Sequence, residues 1–204
     1  MPVMPRAFSE SERQSIRAAL LVAGLVAFER AGLRAARIDD ICRDIGIAKG
    51  SFYAFFPSKE ELFMAIVAER EAQHRTDLLA FVDRAEGPAD LQAAGLFDLL
   101  LKKIEADPVL NLLVVNNEVA PLVRKLGPER FARAEKEDRD FVRLAARRWA
   151  KAGGPATSPA DLLGLMTITL SLAVQRHQMT PEQYRPAVAL LRELFVTRLT
   201  GSAA

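Results

Sequence analysis

The chain has few of the residues that make disulfides and metal sites. Its 204 residues include one cysteine and two histidines. A single cysteine excludes an internal disulfide, as is usual for proteins of the reducing cytosol. Neither His74 nor His177 has a second histidine or a cysteine near it at the spacing of zinc ligands. We therefore expect no metal site, no cofactor and a cytoplasmic location.

Long apolar runs and catalytic motifs are missing too. The N-terminal residues MPVMPRAFSESER lack the apolar segment of a signal peptide. The apolar run at residues 18–28 has eleven residues, well short of the roughly 20 that a membrane helix needs. No nucleophile with a matching base and carboxylate stands out, and no glycine-rich phosphate loop is present. We expect neither a membrane protein nor an enzyme.

The net charge is only +2, but its distribution along the chain is uneven. Residues 1–59 contain nine lysines and arginines against six acidic residues, whereas the rest contains 19 against 20. A basic N-terminal part attracts phosphate, so a nucleic-acid contact would lie at that end. The charged run at residues 135–140 is interpreted as a solvated helix face.

Residues 38–59, IDDICRDIGIAKGSFYAFFPSK, have the pattern of two short helices joined by a tight turn. In the first helix Ile38, Ile41 and Cys42 recur at the spacing of one apolar face. Gly46 permits the sharp turn that follows. This spacing predicts a helix-turn-helix, with Cys42 as a small core residue.

The second short helix is predicted from about Ala48 to Phe56, because Pro57 disfavours helical geometry in the residue before it. Its inward face would be aromatic, formed by Phe52, Phe55 and Phe56. Its outward face would carry Lys49, Gly50, Ser51 and Tyr53. Ammonium, hydroxyl and phenol groups donate hydrogen bonds to phosphates and base edges, so we expect this helix to enter the major groove of DNA.

Capping boxes predict where the flanking helices begin. Ser9 with Glu12 predicts the start of the first helix, which should end at Gly32. Ser58 with Glu61 predicts the start of the helix after the helix-turn-helix and places Lys59 in its first turn. That helix should continue to about residue 86 and connect the N-terminal domain to the rest of the chain.

Proline and glycine separate the remaining predicted helices. These helices begin at Gly87-Pro88, Pro108, Gly127-Pro128, Ser158-Pro159 and Thr180-Pro181. No strand pattern or repeat stands out. We predict an all-α protein of about nine helices, with a helix-turn-helix domain over residues 9–63 and a second helical domain over residues 64–204.

The N-terminal pattern resembles that of the TetR family of transcriptional regulators. The agreement extends over some fifty residues, at Phe28, Arg30 to Gly32, Ile38 to Ile41, Gly46-Ile47, Lys49 to Tyr53, Phe56, Ser58-Lys59 and Leu62-Phe63. The resemblance implies a three-helix DNA-binding domain followed by a helical domain for ligand binding and dimerisation. It implies DNA contacts by Arg37, Ala48, Lys49, Gly50, Ser51, Tyr53 and Lys59. Lys49 would contact a base edge, Tyr53 a phosphate, and Lys59 and Arg37 the DNA backbone.

Three positions depart from the family pattern. Arg37 stands where members usually carry a capping threonine or serine, and Ala48 stands where a serine usually caps the recognition helix. A missing cap costs about 0.5–2 kcal/mol, so we expect this helix to be less ordered without DNA. Phe55 replaces a polar or histidine residue that helps hold DNA in many members, and one expected contact is therefore missing.

The last two predicted helices have more apolar surface than a monomer needs. The eighth is apolar nearly all round from Leu162 to Val174, and the ninth has two apolar faces. The resemblance implies that helices eight and nine form a four-helix bundle with their copies in a homodimer. Two recognition helices could then contact half-sites about 34–36 Å apart on DNA. A thick monomer core is the alternative.

The resemblance also implies a small-molecule effector site among the middle helices. Possible lining residues are Phe97, Leu101, Leu113, Asn116, Asn117, Phe131, Phe141, Trp149, Met166, Thr167 and Thr169. Bulky apolar groups with a few amides and hydroxyls suit an apolar ligand that has one or two polar groups. An aromatic residue or methionine at helical spacing is more often an ordinary core residue than part of a ligand site.

The sequence thus predicts a homodimeric, sequence-specific repressor that a small, largely apolar ligand releases from its operator. One alternative is a TetR-like protein that sits on DNA and binds another protein, which the near-neutral second domain does not favour. The other is a helical ligand-binding protein without operator binding. The departures at Arg37, Ala48 and Phe55 favour this last alternative.

Overall fold

The computed structural model describes residues 9–84, 86–115 and 119–201, and the regular structure in those ranges is entirely helical. The α-helices are α1 (Glu10–Ala35), α2 (Ile38–Asp44), α3 (Lys49–Phe52), α4 (Lys59–Arg84), α5 (Ala89–Glu105), α6 (Pro108–Val115), α7 (Val119–Leu126), α8 (Pro128–Lys151), α9 (Pro159–Gln175) and α10 (Pro181–Thr200). One 3-10 turn, Arg176–Gln178, follows α9. The predicted all-α class is confirmed.

α1 begins where the sequence predicts, and its predicted end at Gly32 is a break in the helix, after which one more turn follows. The Ser9 hydroxyl accepts from the Glu12 amide at 3.2 Å, and the Glu12 carboxylate accepts from the Ser9 amide at 2.7 Å. At Gly32 the backbone takes a φ of 74°, which residues with a side chain rarely adopt. The helical path breaks there, and a last turn to Ala35 leads the chain into α2.

The N-terminal part has its own hydrophobic core, which we call the first cluster. Phe28, Phe52 and Phe63 join α1, α3 and α4 in it, and all three are fully buried. The rings of Phe28 and Phe63 meet edge to face, with centroids 5.3 Å apart. Gly24 allows α1 to approach α4 closely, because a Cβ there would lie 2.7 Å from Leu62 Cδ2.

A second cluster fills the space among α4, α5, α8, α9 and α10. Phe97 of α5 packs against Phe195 of α10, with ring centroids 5.5 Å apart. The buried Trp149 of α8 donates its indole N–H to the Leu199 carbonyl oxygen at 3.1 Å. These contacts fix the last helix against the middle of the chain.

α4 takes part in both clusters. Leu62 and Phe63 in its N-terminal half belong to the first cluster, whereas Leu78 and Val82 near its C-terminal end belong to the second. The predicted link between the two parts of the chain is confirmed. The domain boundary at residue 63 stays a prediction, because the first cluster continues to Val67 and includes residues of α6 and α7.

Two helices differ from the prediction. α7 is not among the predicted helices, so the described residues contain ten α-helices instead of about nine. Its Pro121 lies in the first turn, where proline breaks no helical hydrogen bond but suggests a boundary in the sequence. α3 ends at Phe52, and the chain reaches Phe56 through turns in which the Phe55 and Phe56 amides donate to the Phe52 carbonyl.

Candidate nucleic-acid interface and ligand cleft

The turn between α2 and α3 contains one glycine with a positive φ and is closed by backbone hydrogen bonds. Gly46 takes a φ of 72°, and the Ile47 amide donates to the Cys42 carbonyl oxygen at 3.0 Å. Ile41 and Cys42 are buried beneath the turn, and burial raises the pKa of the Cys42 thiol. The predicted turn and the core position of Cys42 are confirmed.

α3 presents one polar face and one aromatic face. Lys49, Gly50 and Tyr53 are exposed, and Ser51 is half-buried. On the opposite side Phe52 and Phe56 are buried, with ring centroids 6.1 Å apart. The aromatic residues therefore anchor the short helix and leave its polar side chains toward solvent.

The residues that precede α2 and α3 give no side-chain caps. Arg37 and Ala48 have extended backbone conformations, and neither side chain forms a capping hydrogen bond. The predicted absence of caps is confirmed at both positions. Asp39 and Asp40 lie in the first turn of α2, where negative charge interacts favourably with the helix dipole.

Lys49 is paired across the helix-turn-helix. Its Nζ donates to Asp39 Oδ2 at 2.9 Å, and both side chains are about half exposed. The hydrogen bond with Asp39 is the main cause that raises the pKa of Lys49, so the ammonium stays charged at neutral pH. A base or phosphate that binds Lys49 must compete with this carboxylate.

Lys59 is engaged by the end of α1. Its Nζ donates to the carbonyl oxygens of Arg34 at 2.7 Å and Ala36 at 2.9 Å. The cation thereby binds backbone carbonyls that the break at Gly32 leaves beyond the regular helix. An ammonium has three donors, so the expected phosphate contact of Lys59 would use the third and stays a prediction.

Arg13 of α1 lies at the C-terminal end of α3. Its guanidinium carbon is 5.2 Å from the centroid of the Phe55 ring, and its Nη2 donates to the Ala54 carbonyl oxygen at 3.4 Å. A cation over an aromatic face is attracted to it. Phe55 thus holds a cation here, which makes Arg13 a candidate phosphate contact that the sequence analysis missed. No local pattern marks Arg13, because only the packing of α1 brings it to α3.

A cleft of about 160 Å³ opens between the middle helices. We call it the ligand cleft, and its lining residues are Glu71, His74, Arg75, Leu78, Leu100, Ile104, Leu110, Asp138, Leu163, Met166, Thr167 and Leu170. They come from α4, α5, α6, α8 and α9. A smaller cavity of about 30 Å³ shares Leu78, Leu100 and Met166 with it. An apolar wall with a few polar groups at one end is typical of a small-molecule site.

The polar end of the ligand cleft is centred on Arg75. The guanidinium contacts Asp138 at 2.8 Å, Glu137 at 3.2 Å and Glu71 at 3.5 Å. Glu137 and Asp138 belong to the charged run that we interpreted as a solvated helix face. Both side chains are about half exposed, as that interpretation implies. It did not predict their contacts with Arg75, which arise because α8 packs against α4.

The predicted effector residues are dispersed in the structure. Met166 and Thr167 line the ligand cleft, and Phe141 lines the smaller cavity behind it. Phe97, Leu101 and Trp149 belong to the second cluster, whereas Leu113 and Phe131 belong to the first. Thr169 is buried and donates to the Leu165 carbonyl oxygen. Asn116 and Asn117 lie outside the described residues. The cleft's ionisable residues have no periodicity of their own, and sequence reasoning missed them.

Asp107 connects the ligand cleft to the helix-turn-helix part. It is 2% exposed and accepts from Arg70 Nε at 3.0 Å and from the Val109 amide at 2.8 Å. His74 Nε2 lies 3.3 Å from its second oxygen, and burial is the main cause that lowers the pKa of His74. Asp107 thus holds α4 to the start of α6, which packs against α1.

α9 and α10 carry large apolar side chains that are exposed in the single chain. Ile168 is 51% exposed, Leu190 is 68% exposed and Leu194 is 42% exposed. The other sides of these helices are buried in the second cluster through Leu165, Leu191 and Phe195. Both helices therefore have an inner apolar face that is covered and an outer one that is open.

Residues 20–66 match the family model for "Bacterial regulatory proteins, tetR family". The match runs from the middle of α1 into α4 and so contains the whole helix-turn-helix. The helix-turn-helix part of the chain therefore matches the TetR family, as the sequence predicts. This match supports the expected DNA-binding transcriptional regulator, and regulators of the TetR family are not enzymes.

Solved structures share the fold over nearly the whole chain. A TetR-family regulator from Pectobacterium atrosepticum is 20% identical with a TM-score of 0.71, over 97% of this chain and 100% of that chain. FadR from Bacillus subtilis, solved with stearoyl-CoA, is 12% identical with a TM-score of 0.60, over 91% and 99%. A Saccharomonospora viridis protein in complex with choline is 17% identical with a TM-score of 0.56, over 89% and 94%. No curated protein matches the sequence.

The described residues contain neither a membrane-spanning helix nor a metal-binding cluster. None of the helices in residues 9–84, 86–115 and 119–201 is both long and apolar enough to cross a membrane. In the same part of the chain no group of three or more His, Cys, Asp or Glu side chains is placed to hold a metal ion.

Proposed function

We propose that this TetR-family regulator is a homodimeric repressor that a small, largely apolar ligand releases from its operator. The exposed face of α3 carries the proposal, because Lys49, Gly50 and Tyr53 point away from a buried aromatic anchor. In the proposed complex Lys49 contacts a base edge and Tyr53 a phosphate. Arg37 and Lys59 add backbone contacts beside α3. Residues 9–63 bind DNA and residues 64–204 bind the ligand and the second chain.

The open apolar faces of α9 and α10 support the proposed homodimer. An exposed leucine on each copy becomes buried when two such helix pairs pack together, and burying one leucine stabilises by about 1.5–3 kcal/mol. A two-fold symmetric interface uses the same patch on both chains. Ile168, Leu190 and Leu194 would form the centre of that patch.

The contacts of Asp107 supply a route from ligand to DNA. Two lining residues of the ligand cleft contact Asp107: His74 Nε2 lies 3.3 Å from its carboxylate, and the Leu110 amide donates to it at 3.4 Å. A ligand that displaces these side chains moves α4 relative to α6, and α6 contributes Val109 to the first cluster. The α1 packing against α6 then transmits the movement to the helix-turn-helix. Stearoyl-CoA and choline, bound by two proteins of this fold, support small-molecule binding without identifying a ligand here.

Fluorescence anisotropy of the purified protein on labelled DNA from beside its own gene tests the proposal. The salt concentration is fixed near the physiological value, because affinity for DNA falls steeply with salt. Retained binding under an excess of random duplex of equal length is the expected result. If an equal concentration of random duplex is enough to displace the labelled DNA, operator recognition at that site is contradicted.

The second candidate function is ligand binding without operator recognition. It is favoured by the pairing of Lys49 with Asp39 and by the engagement of Lys59 with two carbonyl oxygens. On this account, substituting Lys49 or Tyr53 by alanine leaves DNA affinity unchanged. The repressor account predicts weaker binding for both variants, so the same anisotropy assay separates the two.

A further inference from the structure

The polar end of the ligand cleft contains more acidic than basic charge. Among the described residues that line the cleft, Arg75 is the one permanent cation, and it faces the carboxylates of Glu71 and Asp138. Glu137 contacts the same guanidinium from just outside the lining. Within the described part of the chain, three carboxylates thus share one guanidinium, which leaves an excess of two negative charges.

The neighbouring charged residues do not remove this excess. Arg70 pairs with Asp107 and Lys103 pairs with Asp77, so each cation is matched by one carboxylate. His74 does not add a positive charge at neutral pH, since burial is the main cause that lowers its pKa. The polar end of the cleft therefore keeps a net negative charge.

Glu71 is the carboxylate for which this environment costs most. Burial is the main cause that raises the pKa of Glu71, and the charges of Asp138, Glu137 and Asp107 raise it further against the opposing effect of Arg75. Its contact with Arg75 is also the longest of the three, at 3.5 Å. A second cation beside Glu71 would relieve both the repulsion and the poor solvation.

We infer that the ligand cleft binds a small lipophilic cation, with its ammonium group beside Glu71 and Asp138 and its apolar body among Leu78, Leu100 and Met166. The inference rests on the proposed role of this cleft as the effector site and adds the chemical class of the ligand. A carboxylate or phosphate ligand is disfavoured by the same charges, since it would join three carboxylates around a single Arg75.

The size of the cleft limits the apolar body. The cleft has about 160 Å³ of space, and a protein cavity of about 150 Å³ accommodates benzene. A phenyl ring on a short aminoalkyl chain therefore matches the volume and the charge together. Met166, shared with the smaller cavity that Phe141 lines, is an unbranched side chain that can move to admit a somewhat larger ring.

Isothermal titration calorimetry with three probes of one shape tests the inference. The probes are 2-phenylethylamine, which is protonated at neutral pH, the neutral 2-phenylethanol and the anionic 3-phenylpropanoate. We expect the amine to bind at least about tenfold more tightly than the alcohol, which corresponds to about 1.4 kcal/mol, and the anion to bind most weakly. An anion that binds as tightly as the amine, or no measurable binding of the amine, would overturn the inference.

Matched variants locate the cation. Glu71→Gln and Asp138→Asn keep the shape of the side chains and remove one charge each, so both should reduce the preference for amine over alcohol. Glu135→Gln removes one charge from the same helix as Asp138, but Glu135 is exposed and pairs with Arg139, so the preference should not change. An equal effect of Glu135→Gln and Glu71→Gln would place the cation elsewhere.

The DNA assay separates this inference from the proposed function. If the amine binds in the cleft but leaves the anisotropy of the DNA complex unchanged, ligand-induced release is wrong and the ligand class stands. If the protein binds its operator but not the amine, the ligand class is wrong and operator binding stands. Circular dichroism of each variant shows whether a lost signal reflects lost structure.

Discussion

Lys49 and Asp39 form an ion pair of 2.9 Å between the recognition helix and the helix before it. The two side chains are about half exposed, so the pair contributes little to stability. Its importance lies in orientation, because it holds the candidate base-contacting ammonium at the surface of the helix-turn-helix. DNA binding has to exchange the Asp39 carboxylate for a base edge or a phosphate oxygen.

Replacing Lys49 by alanine should reduce base preference as well as affinity. Loss of a base-edge contact should weaken operator binding by about 1–3 kcal/mol and random-DNA binding by less. Tyr53→Phe, which removes a hydroxyl proposed to bind phosphate, should weaken both DNAs by similar factors. Anisotropy titrations with operator and random duplex measure the two ratios. If Lys49→Ala weakens both DNAs equally, the base contact is assigned to the wrong residue.

Leu190→Glu should convert the proposed dimer into a monomer. Leu190 is 68% exposed in the single chain, and a carboxylate in its place would be buried without a partner at the interface. The loss of one buried leucine alone costs about 1.5–3 kcal/mol. Sedimentation velocity at micromolar concentration measures the state of association.

Val22→Glu is the matched control for the dimer prediction. Val22 of α1 is also 68% exposed but lies in the N-terminal part of the chain. This variant should remain dimeric. A dimer that survives Leu190→Glu, or that dissociates equally with Val22→Glu, would show that α10 does not form the interface.

Glu71→Gln should stabilise the protein at neutral pH and not in acid. The pKa of Glu71 in the folded protein lies above its ordinary value of 4.5, mainly because of burial. The folded state therefore holds its proton more tightly than the unfolded state, and the wild type loses stability as the pH rises through the folded pKa. The glutamine variant has no ionisable group at this position, so its stability does not fall in this way. Urea unfolding from pH 4 to pH 8 measures the free energy of unfolding of both proteins. The difference between the two proteins should grow as the pH rises above about 4.5. A difference that is constant over this range would contradict the pKa direction.

Asp107→Asn should destabilise the fold by about 1–3 kcal/mol, because Asp107 is almost fully buried and its charge is matched by Arg70. Asp83→Asn is the matched control, since Asp83 pairs with Arg148 at a largely exposed site and should change stability by less than about 0.5 kcal/mol. Urea unfolding measures both changes. Equal tolerance of the two substitutions would show that Asp107 does not hold α4 to α6.

Local signals in the sequence predict most of the helix boundaries. These signals act within a few residues of where they occur. They are the capping box of Ser9 and Glu12, the glycine at the turn (Gly46), and the prolines at the starts of α5, α8 and α10. The buried aromatic pair is also local, because Phe52 ends α3 and Phe56 follows four residues later, with its amide bonded to the Phe52 carbonyl oxygen. These features need no knowledge of the rest of the fold.

The site contacts that the sequence does not predict depend on distant parts of the chain. Lys59 binds carbonyl oxygens that face it only because α1 breaks at Gly32, 27 residues earlier. The acidic run on α8 has the appearance of a solvated face, yet Asp138 reaches Arg75 because α8 crosses α4. Helical periodicity predicts which face of its own helix a residue occupies. It does not predict which neighbouring helix that face contacts.

Selection of genomic fragments by the purified protein tests the central claim most directly. Fragments bound at physiological salt are sequenced for the wild type and for a variant with both Lys49→Ala and Tyr53→Ala. The wild type should enrich one inverted repeat whose half-sites are separated by about 34–36 Å or a multiple of that distance, and the double variant should lose the enrichment. Equal, motif-free recovery by both proteins would contradict operator recognition through α3.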